Sequence, residues 1–310
     1  MTRRKLIIDC DPGIDDAIAI TLCGASEELD LMGITVTHGN VSLEHTTKNA
    51  LAIVNVLGLN VPVFAGATRP LVREPIYAAD VHGSGGLGGI VLPSHKRAPE
   101  KQHAVEFIIE AVMSDPGNVS LFGIGPLTNI ALAMRLEPRL ATSIREIVVM
   151  GGSIGEGNTS AAAEFNALAD PHAMRIVFES GCPITMFGLD VTHKVLAIPE
   201  RLEMIAGART EIASLVVRFM EAYLPSYTKR YGWTGAAIHD MCPIAWAVMP
   251  ELFSLKPMTV RVDTNEGPNF GRTVCDSQCR GEGLPVVQVV YDADVDELFA
   301  FLGQRIARYH

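Results

Sequence analysis

The sequence predicts an α/β fold with a mostly parallel central sheet and helices on both faces. Short apolar runs alternate with amphipathic segments along most of the 310 residues, which is the pattern of strand–helix units in a parallel sheet. Polar residues or glycines end most of the apolar runs, as expected where strands stop at one edge of such a sheet. No Pro/Gly/Ser-rich linker interrupts the alternation, so residues 1–310 are predicted to form a single domain with a Rossmann-like sheet.

The first part of the chain contains three predicted strands and two predicted helices. Apolar runs indicate strands at 6–8, 31–36 and 61–65. One helix is predicted to begin at Ile14, and a second carries Ala50, Ile53, Val54 and Leu57 on one face before it stops at Gly58. The segment from 66 to 98 is rich in glycine, proline and charge. A loop of that length in a compact domain is usually a lid or a binding loop.

The alternation continues to the end of the chain. A helix with Phe107, Ile108, Ala111 and Val112 on one face precedes a strand at 119–124, a helix at 130–134 and a strand at 147–150. Asp170-Pro171 predicts a helix that ends at Gly181, since Asp is a favoured N-cap and Pro a favoured first helical residue. Further predictions are a strand at 184–187, helices near 211–224 and 239–249, strands near 258–263 and 285–291, and a last helix containing Val295 to Ile306.

Composition excludes several classes of function. A net charge of −10 disfavours nucleic acid as a partner, because binding a polyanion requires a basic surface. No apolar run approaches 18 residues, so neither a transmembrane helix nor association with a membrane is expected. The start of the chain lacks the apolar region of a signal peptide, and the six cysteines show no paired spacing. The sequence is therefore typical of a cytoplasmic protein with reduced thiols.

Four carboxylates lie within eight residues, directly after the first predicted strand. They are Asp9, Asp11, Asp15 and Asp16, and like charges so close repel one another unless a cation lies among them. Alternation along the strand directs Asp9 and Asp11 to the same side, and Asp15 and Asp16 fall in the first turn of the next helix. Oxygen ligands favour calcium or magnesium over zinc, and the density of carboxylates favours calcium. The alternative is that one aspartate caps the helix and the others face solvent.

Other polar residues follow the later strands or precede a helix. Ligands of parallel sheets bind beyond the carboxyl ends of the strands, so these residues are predicted to line one rim. They are Asn40, Thr128, Asn129, Gly151, Gly152 and Asp190. Asn158, Glu164 and Asn166 offer donors and acceptors for a polyhydroxylated ligand, although an ordinary solvated loop explains them equally well. Asp240 is either the cap of its helix or a further metal ligand.

Seven segments of the chain resemble the nucleoside N-ribohydrolase family. The first is Asp9-Cys10-Asp11-Pro12-Gly13-Ile14-Asp15-Asp16-Ala17, which resembles the family's amino-terminal fingerprint. The others follow in the family's order: Gly39-Asn40, Val81-His82-Gly83, Gly125-Pro126-Leu127-Thr128-Asn129, Met150-Gly151-Gly152, Glu164-Phe165-Asn166 and His239-Asp240. The histidines resemble those of the inosine–uridine preferring group and its bacterial members of mixed specificity. The family's fold is an open α/β sheet.

This resemblance implies calcium-dependent hydrolysis of the N-glycosidic bond of purine or pyrimidine ribonucleosides, giving ribose and free base. It assigns the calcium ligands to Asp11, Asp16, Asp240 and the main-chain carbonyl of Thr128, and the general base to Asp11. It places Asp15, Asn40, Asn158, Glu164 and Asn166 on the ribose, and Asp9 in a supporting role. It matches His82 and His239 to base-side histidines, with His239 as the hypothetical acid for the leaving base. Met150, Phe165, Tyr227 and Tyr231 are further expected substrate contacts; the tyrosines offer rings that stack on a planar ligand, or belong to the apolar face of their helix. A homo-oligomer, either a dimer or a tetramer, is implied as well.

Two other functions fit parts of the pattern. A magnesium-dependent phosphohydrolase also carries an Asp-x-Asp motif after its first strand, but Pro12-Gly13 follows here and no lysine is suitably placed downstream. A calcium-dependent binder of ribose or nucleosides needs the metal ligands but not a general base at Asp11.

Overall fold

Strands and helices alternate along the chain as predicted. Eleven strands lie within residues 3–281 and 283–309, which are the residues that the computed structural model describes. They are β1 (Arg4–Cys10), β2 (Leu29–Val36), β3 (Val63–Ala65), β4 (Val119–Gly123), β5 (Glu146–Met150), β6 (Ile184–Phe187), β7 (Leu196–Ala197), β8 (Ala236–Ala237), β9 (Phe253–Val262), β10 (Thr273–Asp276) and β11 (Val286–Ala293).

Nine of these strands form one sheet in the order β10-β9-β11-β6-β5-β4-β1-β2-β3. Every neighbouring pair from β11 to β3 is parallel, and β9 is the one strand of this sheet that runs in the opposite direction, pairing antiparallel with β11 and β10. The predicted mostly parallel sheet is therefore confirmed. The strands β7 and β8 form a separate antiparallel pair.

Helices cover both faces of the sheet. They are α1 (Ile14–Gly24), α2 (Leu43–Val56), α3 (Ala79–His82), α4 (Ala104–Ser114), α5 (Thr128–Leu136), α6 (Leu140–Ser143), α7 (Phe165–Ala169), α8 (Pro171–Phe178), α9 (Leu189–Thr192), α10 (Pro199–Ala206), α11 (Glu211–Tyr231), α12 (Met241–Val248) and α13 (Val295–Ile306), with a short 3₁₀ helix at Pro250–Leu252. Over the described ranges, no helix has the apolar length that a membrane span requires.

The sheet separates two apolar cores. Leu6, Ile8 and Cys10 of β1 pack into the core that contains α1, α2, α11, α12 and α13. Ile7 points to the opposite face, into the core beneath α4, α5 and α8. This alternation follows from the two-residue period of a strand that is buried on both sides. The central strands are thereby held rigidly, and their carboxyl ends provide a fixed platform for side chains.

The main departure from the predicted elements is the length of α11. The predicted helix stops near Leu224, but the observed helix continues through Pro225 to Tyr231 and ends at Gly232, whose φ is +72°. Pro225 is on the exposed side of the helix, so the carbonyl that loses its hydrogen bond can be hydrated. The extension places Tyr223, Tyr227 and Tyr231 on one helical face, because residues four apart are neighbours.

Shorter elements were also missed. The elements β7, β8, β10, α7, α9 and α10 are too short to show a clear hydrophobic period. The predicted strands near 258–263 and 285–291 exist but extend to other bounds, as β9 and β11. The helix predicted from Asp170-Pro171 is α8, whose first turn is capped by Asp170 through the amide of Ala173. It ends at Phe178, before the predicted stop at Gly181.

Candidate active site

A pocket of about 250 Å³ opens at the carboxyl edge of the sheet. Asp11, Asn40 and Ile124, which follow β1, β2 and β4 respectively, line this pocket. Met150, the last residue of β5, lines it as well. The structure brings together here all of the predicted catalytic and substrate-binding residues: Asp11, Asp15, Asn40, His82, Met150, Asn158, Glu164, Phe165, Asn166, Tyr227, Tyr231 and His239. Asp240 also lines the pocket.

Asp11 is held in one orientation by its surroundings. Its Oδ2 accepts a hydrogen bond of 2.6 Å from the main-chain amide of Asn40. Gly39 and Gly125 lie on the two sides of the carboxylate, where a Cβ at position 39 would overlap Oδ2 and a Cβ at position 125 would overlap Oδ1. Two glycines on separate loops thus form a slot that admits this one side chain.

Asp15, Asp16 and Asp240 form the centre of a candidate metal site. One carboxylate oxygen from each lies within 4.8 Å of the other two, and all three side chains are buried. Asp16 accepts hydrogen bonds from the amides of Asp11 and Gly13, at 3.2 and 2.8 Å. Asp240 stands at the N-cap position of α12, but its side chain makes no capping hydrogen bond. Its carboxylate therefore contributes to the cluster instead of to the helix end.

Asp11, Asp15, Asp16 and Asp240 all have raised pKa values, and all but Asp16 line the pocket. Burial raises the pKa of Asp15 to about 8, with repulsion from Asp16 as a further cause. Burial also raises the pKa of Asp16 to about 6, and burial together with neighbouring carboxylates raises the pKa of Asp11 and Asp240. Within residues 3–281 and 283–309, no lysine, arginine or histidine forms a salt bridge with any of them. An all-oxygen donor set of this charge suits a hard divalent cation.

Asp9 does not belong to this cluster, contrary to the prediction from the strand pattern. Its Oδ1 accepts hydrogen bonds from the Thr35 hydroxyl at 2.6 Å and from Asn129 Nδ2 at 2.8 Å. The reason is that Asp9 lies inside β1, between neighbouring strands, whereas Asp11 follows the end of the strand. Burial raises the pKa of Asp9 to about 7. Asp240 takes the place in the cluster that was expected for Asp9.

Thr128 is not among the residues that line the pocket. It borders a separate hollow with Ala67 and His103, and its hydroxyl donates to Asp170 Oδ2 at 2.8 Å. Ile124 lines the pocket instead, and its main-chain carbonyl accepts a hydrogen bond of 3.1 Å from Asn166 Nδ2. Thr128 is the first residue of α5, five residues beyond Gly123 at the end of β4, and this displaces it from the rim. Ile124 is directly at the end of β4, so the rule for strand ends identifies it.

Glu164 and Asn166 are built into one wall of the pocket. Glu164 caps α7, with Oε1 accepting from the amide of Asn166 at 2.8 Å and Oε2 from Gly152 and Ala167 at 2.9 and 3.0 Å. Asn166 Nδ2 donates to the carbonyls of Ile124 and Met150, so its acceptor Oδ1 is the atom left for a ligand. This loop is thus an ordered wall of the pocket, unlike an ordinary solvated loop.

His82 is buried against the carboxylates. Its Nδ1 accepts a hydrogen bond of 3.2 Å from the amide of Ile14, so the ring proton is on Nε2. Nε2 lies 3.3 Å from the Tyr223 hydroxyl, which donates in turn to Asp15 Oδ1 at 3.4 Å. Burial lowers the pKa of His82 to about 3. The neutral ring therefore orients Tyr223, and through it Asp15.

His239 and Tyr227 form a second pair beside the first, since the ring centroids of Tyr223 and Tyr227 are 5.1 Å apart. The Tyr227 hydroxyl lies 2.6 Å from His239 Nε2, and both side chains are buried. The ring of Tyr231 stacks on Trp233, with centroids 4.4 Å apart and planes 19° from parallel. Burial raises the pKa of Tyr227 and lowers that of His239. This end of the pocket offers aromatic surface and one hydroxyl–imidazole pair to a planar ligand.

Several residues of the pocket were not predicted as site residues. Tyr223 follows from the spacing of the other tyrosines once α11 is known to continue past Leu224. Arg230 also lines the pocket, donating to the carbonyl of Asn158 at 3.0 Å and lying 3.3 Å from Asp80. It thereby joins α3 to the loop before α7. Nothing in the sequence signals this contact, because it depends on how distant segments meet.

Comparison with known proteins identifies relatives of this architecture. The family model described as inosine-uridine preferring nucleoside hydrolase matches residues 6–300. The pyrimidine-specific ribonucleoside hydrolase RihB of Escherichia coli is 43% identical over 279 residues, which cover 89% of this chain and 88% of that protein. RihB of Escherichia fergusonii has the same identity and coverage.

Solved structures are similar over nearly the whole chain. A plant nucleoside hydrolase has a TM-score of 0.93 and 31% sequence identity, covering 98% of this chain and 99% of that one. A purine-preferring ribonucleoside hydrolase from Gardnerella vaginalis has a TM-score of 0.91 and 34% identity, covering 98% of both chains.

Proposed function

The chain belongs to the inosine-uridine preferring nucleoside hydrolase family, and we propose that it hydrolyses the N-glycosidic bond of ribonucleosides in a calcium-dependent reaction. The observation that carries the proposal is the buried carboxylate cluster at the floor of a pocket that has hydrogen-bonding groups on one side and aromatic groups on the other. A nucleoside has the same division, since its ribose is polyhydroxylated and its base is planar. The intact Asp11 favours an enzyme over a nucleoside-binding protein.

The residues of the cluster fit a calcium ion. Asp15, Asp16 and Asp240 each place a carboxylate oxygen within 4.8 Å of the other two, and the Asp11 amide donates to Asp16. Asp11, Asp16 and Asp240 would hold the ion, as the resemblance implies. For the main-chain ligand we place the carbonyl of Ile124 ahead of that of Thr128, because Ile124 lines the pocket and Thr128 does not. Calcium bound here would offset part of the negative charge of the carboxylates, act as a Lewis acid and accept the 2′- and 3′-hydroxyls of ribose as further oxygen ligands.

Asp11 would act as the general base. The Asn40 amide fixes its Oδ2, which leaves Oδ1 to take a proton from the water that attacks C1′. As the glycosidic bond breaks, positive charge develops on the ribosyl ring, as in other glycoside hydrolyses. The buried carboxylates beneath the ring would stabilise that charge, while Asn40, Asn158, Glu164 and Asn166 hold the hydroxyl groups in place.

The leaving base would receive its proton from Tyr227. When the bond between C1′ and the base breaks, its electron pair stays on the base, which takes the proton of the Tyr227 hydroxyl. His239 stays neutral because burial lowers its pKa, and its Nε2, which lies 2.6 Å away, holds the Tyr227 hydroxyl in place. After the base has left, Tyr227 regains a proton from solvent, and Asp11 releases to solvent the proton that it took from water. His82 and Tyr231 would contact the base from the other sides of the same end of the pocket.

We place pyrimidine ribonucleosides first among the substrates, because relatives that are 43% identical are named as pyrimidine-specific. Inosine is the second candidate, since a purine-preferring enzyme has a very similar structure. The test is to measure released ribose with uridine, cytidine, inosine and adenosine at matched concentrations. A kcat/KM that is highest for uridine or cytidine supports this order of preference. Phosphatase activity, or binding of nucleosides without turnover, would overturn the proposed reaction.

The ribose 2′-hydroxyl should be required for turnover. We expect kcat/KM for 2′-deoxyuridine to be at least about 100-fold lower than for uridine, because the deoxy sugar lacks a calcium ligand whose contact also stabilises the transition state. Cytidine is the control, since it keeps the diol and changes only the base. Comparable kcat/KM values for uridine and 2′-deoxyuridine would contradict the role of the diol.

The slot around Asp11 should be intolerant of a methyl group. We expect Gly39→Ala and Gly125→Ala each to lower kcat on uridine by about 100-fold, because displacing a reacting group by about 1 Å has an effect of this size. Gly85→Ala is the matched control, since a Cβ there meets open space and Gly85 has no unusual φ. Wild-type kcat in the Gly125→Ala variant would show that Asp11 does not need this slot.

The assembly of the protein is a further part of the proposed function. We propose that the chain acts in the cytoplasm as a single catalytic domain within a dimer or tetramer. Sedimentation analysis of the purified protein distinguishes these two states from a monomer.

A further inference from the structure

A buried threonine outside the pocket contacts the far side of His239. Thr192 is the last residue of α9 and is completely buried, and its Oγ1 lies 2.7 Å from His239 Nδ1. The contact is fixed by the backbone on both sides. The amide of Ile238 donates to the carbonyl of Val195 at 3.0 Å, and the adjacent strands β7 and β8 pair in antiparallel register.

The direction of the hydrogen bonds follows from the partners. The carbonyl of Gly188 lies 3.3 Å from the Thr192 hydroxyl and can take its proton, and we therefore assign the Thr192 oxygen as the acceptor for His239 Nδ1. Nδ1 therefore carries the ring proton, and Nε2 is the nitrogen that faces the Tyr227 hydroxyl at 2.6 Å. A neutral imidazole has one nitrogen that donates and one that accepts. A partner that accepts from Nδ1 therefore leaves Nε2 as the accepting nitrogen.

We propose that Thr192 is a positioning residue for departure of the base: its hydroxyl holds the His239 ring in the orientation and tautomer that keep Nε2 directed at Tyr227. This inference rests on the proposed function. Thr192 does not touch the pocket, so its effect reaches the reaction only through His239. The same logic applies wherever a second residue fixes the tautomer of a functional histidine.

This role depends on the leaving group. Uridine requires a proton on the departing base, whereas p-nitrophenyl riboside releases p-nitrophenolate, which is stable without one. Loss of the Thr192 hydroxyl should therefore slow the first substrate and spare the second. A purely structural role would slow both substrates together, because it would disturb the ribose site as well.

The experiment compares Thr192→Val with Thr192→Ser in the calcium-loaded enzyme. We expect Thr192→Val to lower kcat on uridine by about 10- to 100-fold with little change in KM. This decrease is smaller than the full rate contribution of a general acid, because the acid itself is kept. Its kcat on p-nitrophenyl riboside should stay within about twofold of wild type. Thr192→Ser should restore uridine hydrolysis, because it keeps the hydroxyl. Thr21→Val is the matched control, since the buried Thr21 hydroxyl bonds only to Ala17 within the described residues.

The possible results separate this inference from the function on which it rests. An equal change in kcat on both substrates, or no change on either, overturns the role of Thr192 and leaves the proposed function standing. A wild-type enzyme that cleaves p-nitrophenyl riboside but no ribonucleoside overturns the proposed function and the inference with it.

A measurement on the wild-type enzyme does not depend on the folding of a variant. The ¹⁵N signals of the His239 ring, assigned with a His239→Gln variant, should show the proton on Nδ1. A proton on Nε2 of the neutral ring overturns the inference.

Discussion

Replacing Asp11 by asparagine is expected to lower kcat on uridine by at least about 10³-fold, within the range found when a general base is removed. The amide keeps the shape of the side chain and can still accept the Asn40 hydrogen bond, but it cannot take a proton from water. It also removes one negative charge from the cluster beneath the ribosyl ring. Release of ribose and the thermal unfolding midpoint are measured on the same preparation.

Asp9→Asn is the matched control for this substitution. Asp9 is buried two residues away, but it bonds to Thr35 and Asn129 and does not line the pocket. We expect its kcat to remain within about 10-fold of wild type, because an amide oxygen can accept the same hydrogen bonds. An Asp11→Asn enzyme with the kcat of Asp9→Asn would show that the base is another group.

Removal of the metal is expected to abolish activity and to destabilise the protein. Four buried carboxylates would then face one another without a cation, and burial and mutual repulsion both oppose their ionisation. We expect dialysis against a calcium-selective chelator to lower the unfolding midpoint, and calcium to restore ribose release better than an equal concentration of magnesium. Full kcat after the metal content falls well below one ion per chain would contradict the calcium site.

The metal-free protein should also depend on pH in a particular direction. The pKa of Asp16 is raised to about 6 and that of Asp15 to about 8, whereas an aspartate in the unfolded chain titrates near 3.8. Between these values the folded state binds more protons than the unfolded state, so stability falls as pH rises. We therefore expect the unfolding midpoint of the metal-free protein to be higher at about pH 5 than at about pH 8. Bound calcium should remove most of this difference.

Sequence patterns predicted the large elements well, because their signals are local. The apolar runs of β1, β2 and β4 and the polar residues after them were enough to assign Asp11 and Asn40 to the sheet edge. The rule that ligands bind beyond the carboxyl ends of parallel strands also identifies Ile124, the last apolar residue of the run that forms β4. Asp9 was misplaced because alternation gives the side on which a residue lies but not whether a strand has ended.

The remaining features depend on contacts between distant segments. Nothing in the chain around Thr192 indicates that it meets His239, since the contact depends on the pairing of β7 with β8, which have two residues each. Arg230 is similar, because its partners belong to two segments that approach only in the folded protein. The end of α11 was placed too early because proline normally stops a helix. In this helix Pro225 is on the exposed side, so the freed carbonyl can be hydrated.

The glycine slot around Asp11 has a consequence for how active members of a sequence group are recognised. A chain that keeps every carboxylate but carries a larger residue at position 39 or 125 is expected to have lost the reaction, although its set of polar residues is intact. The signature of activity therefore includes two positions that have no side chain. Classification by reactive groups alone would count such inactive chains as enzymes.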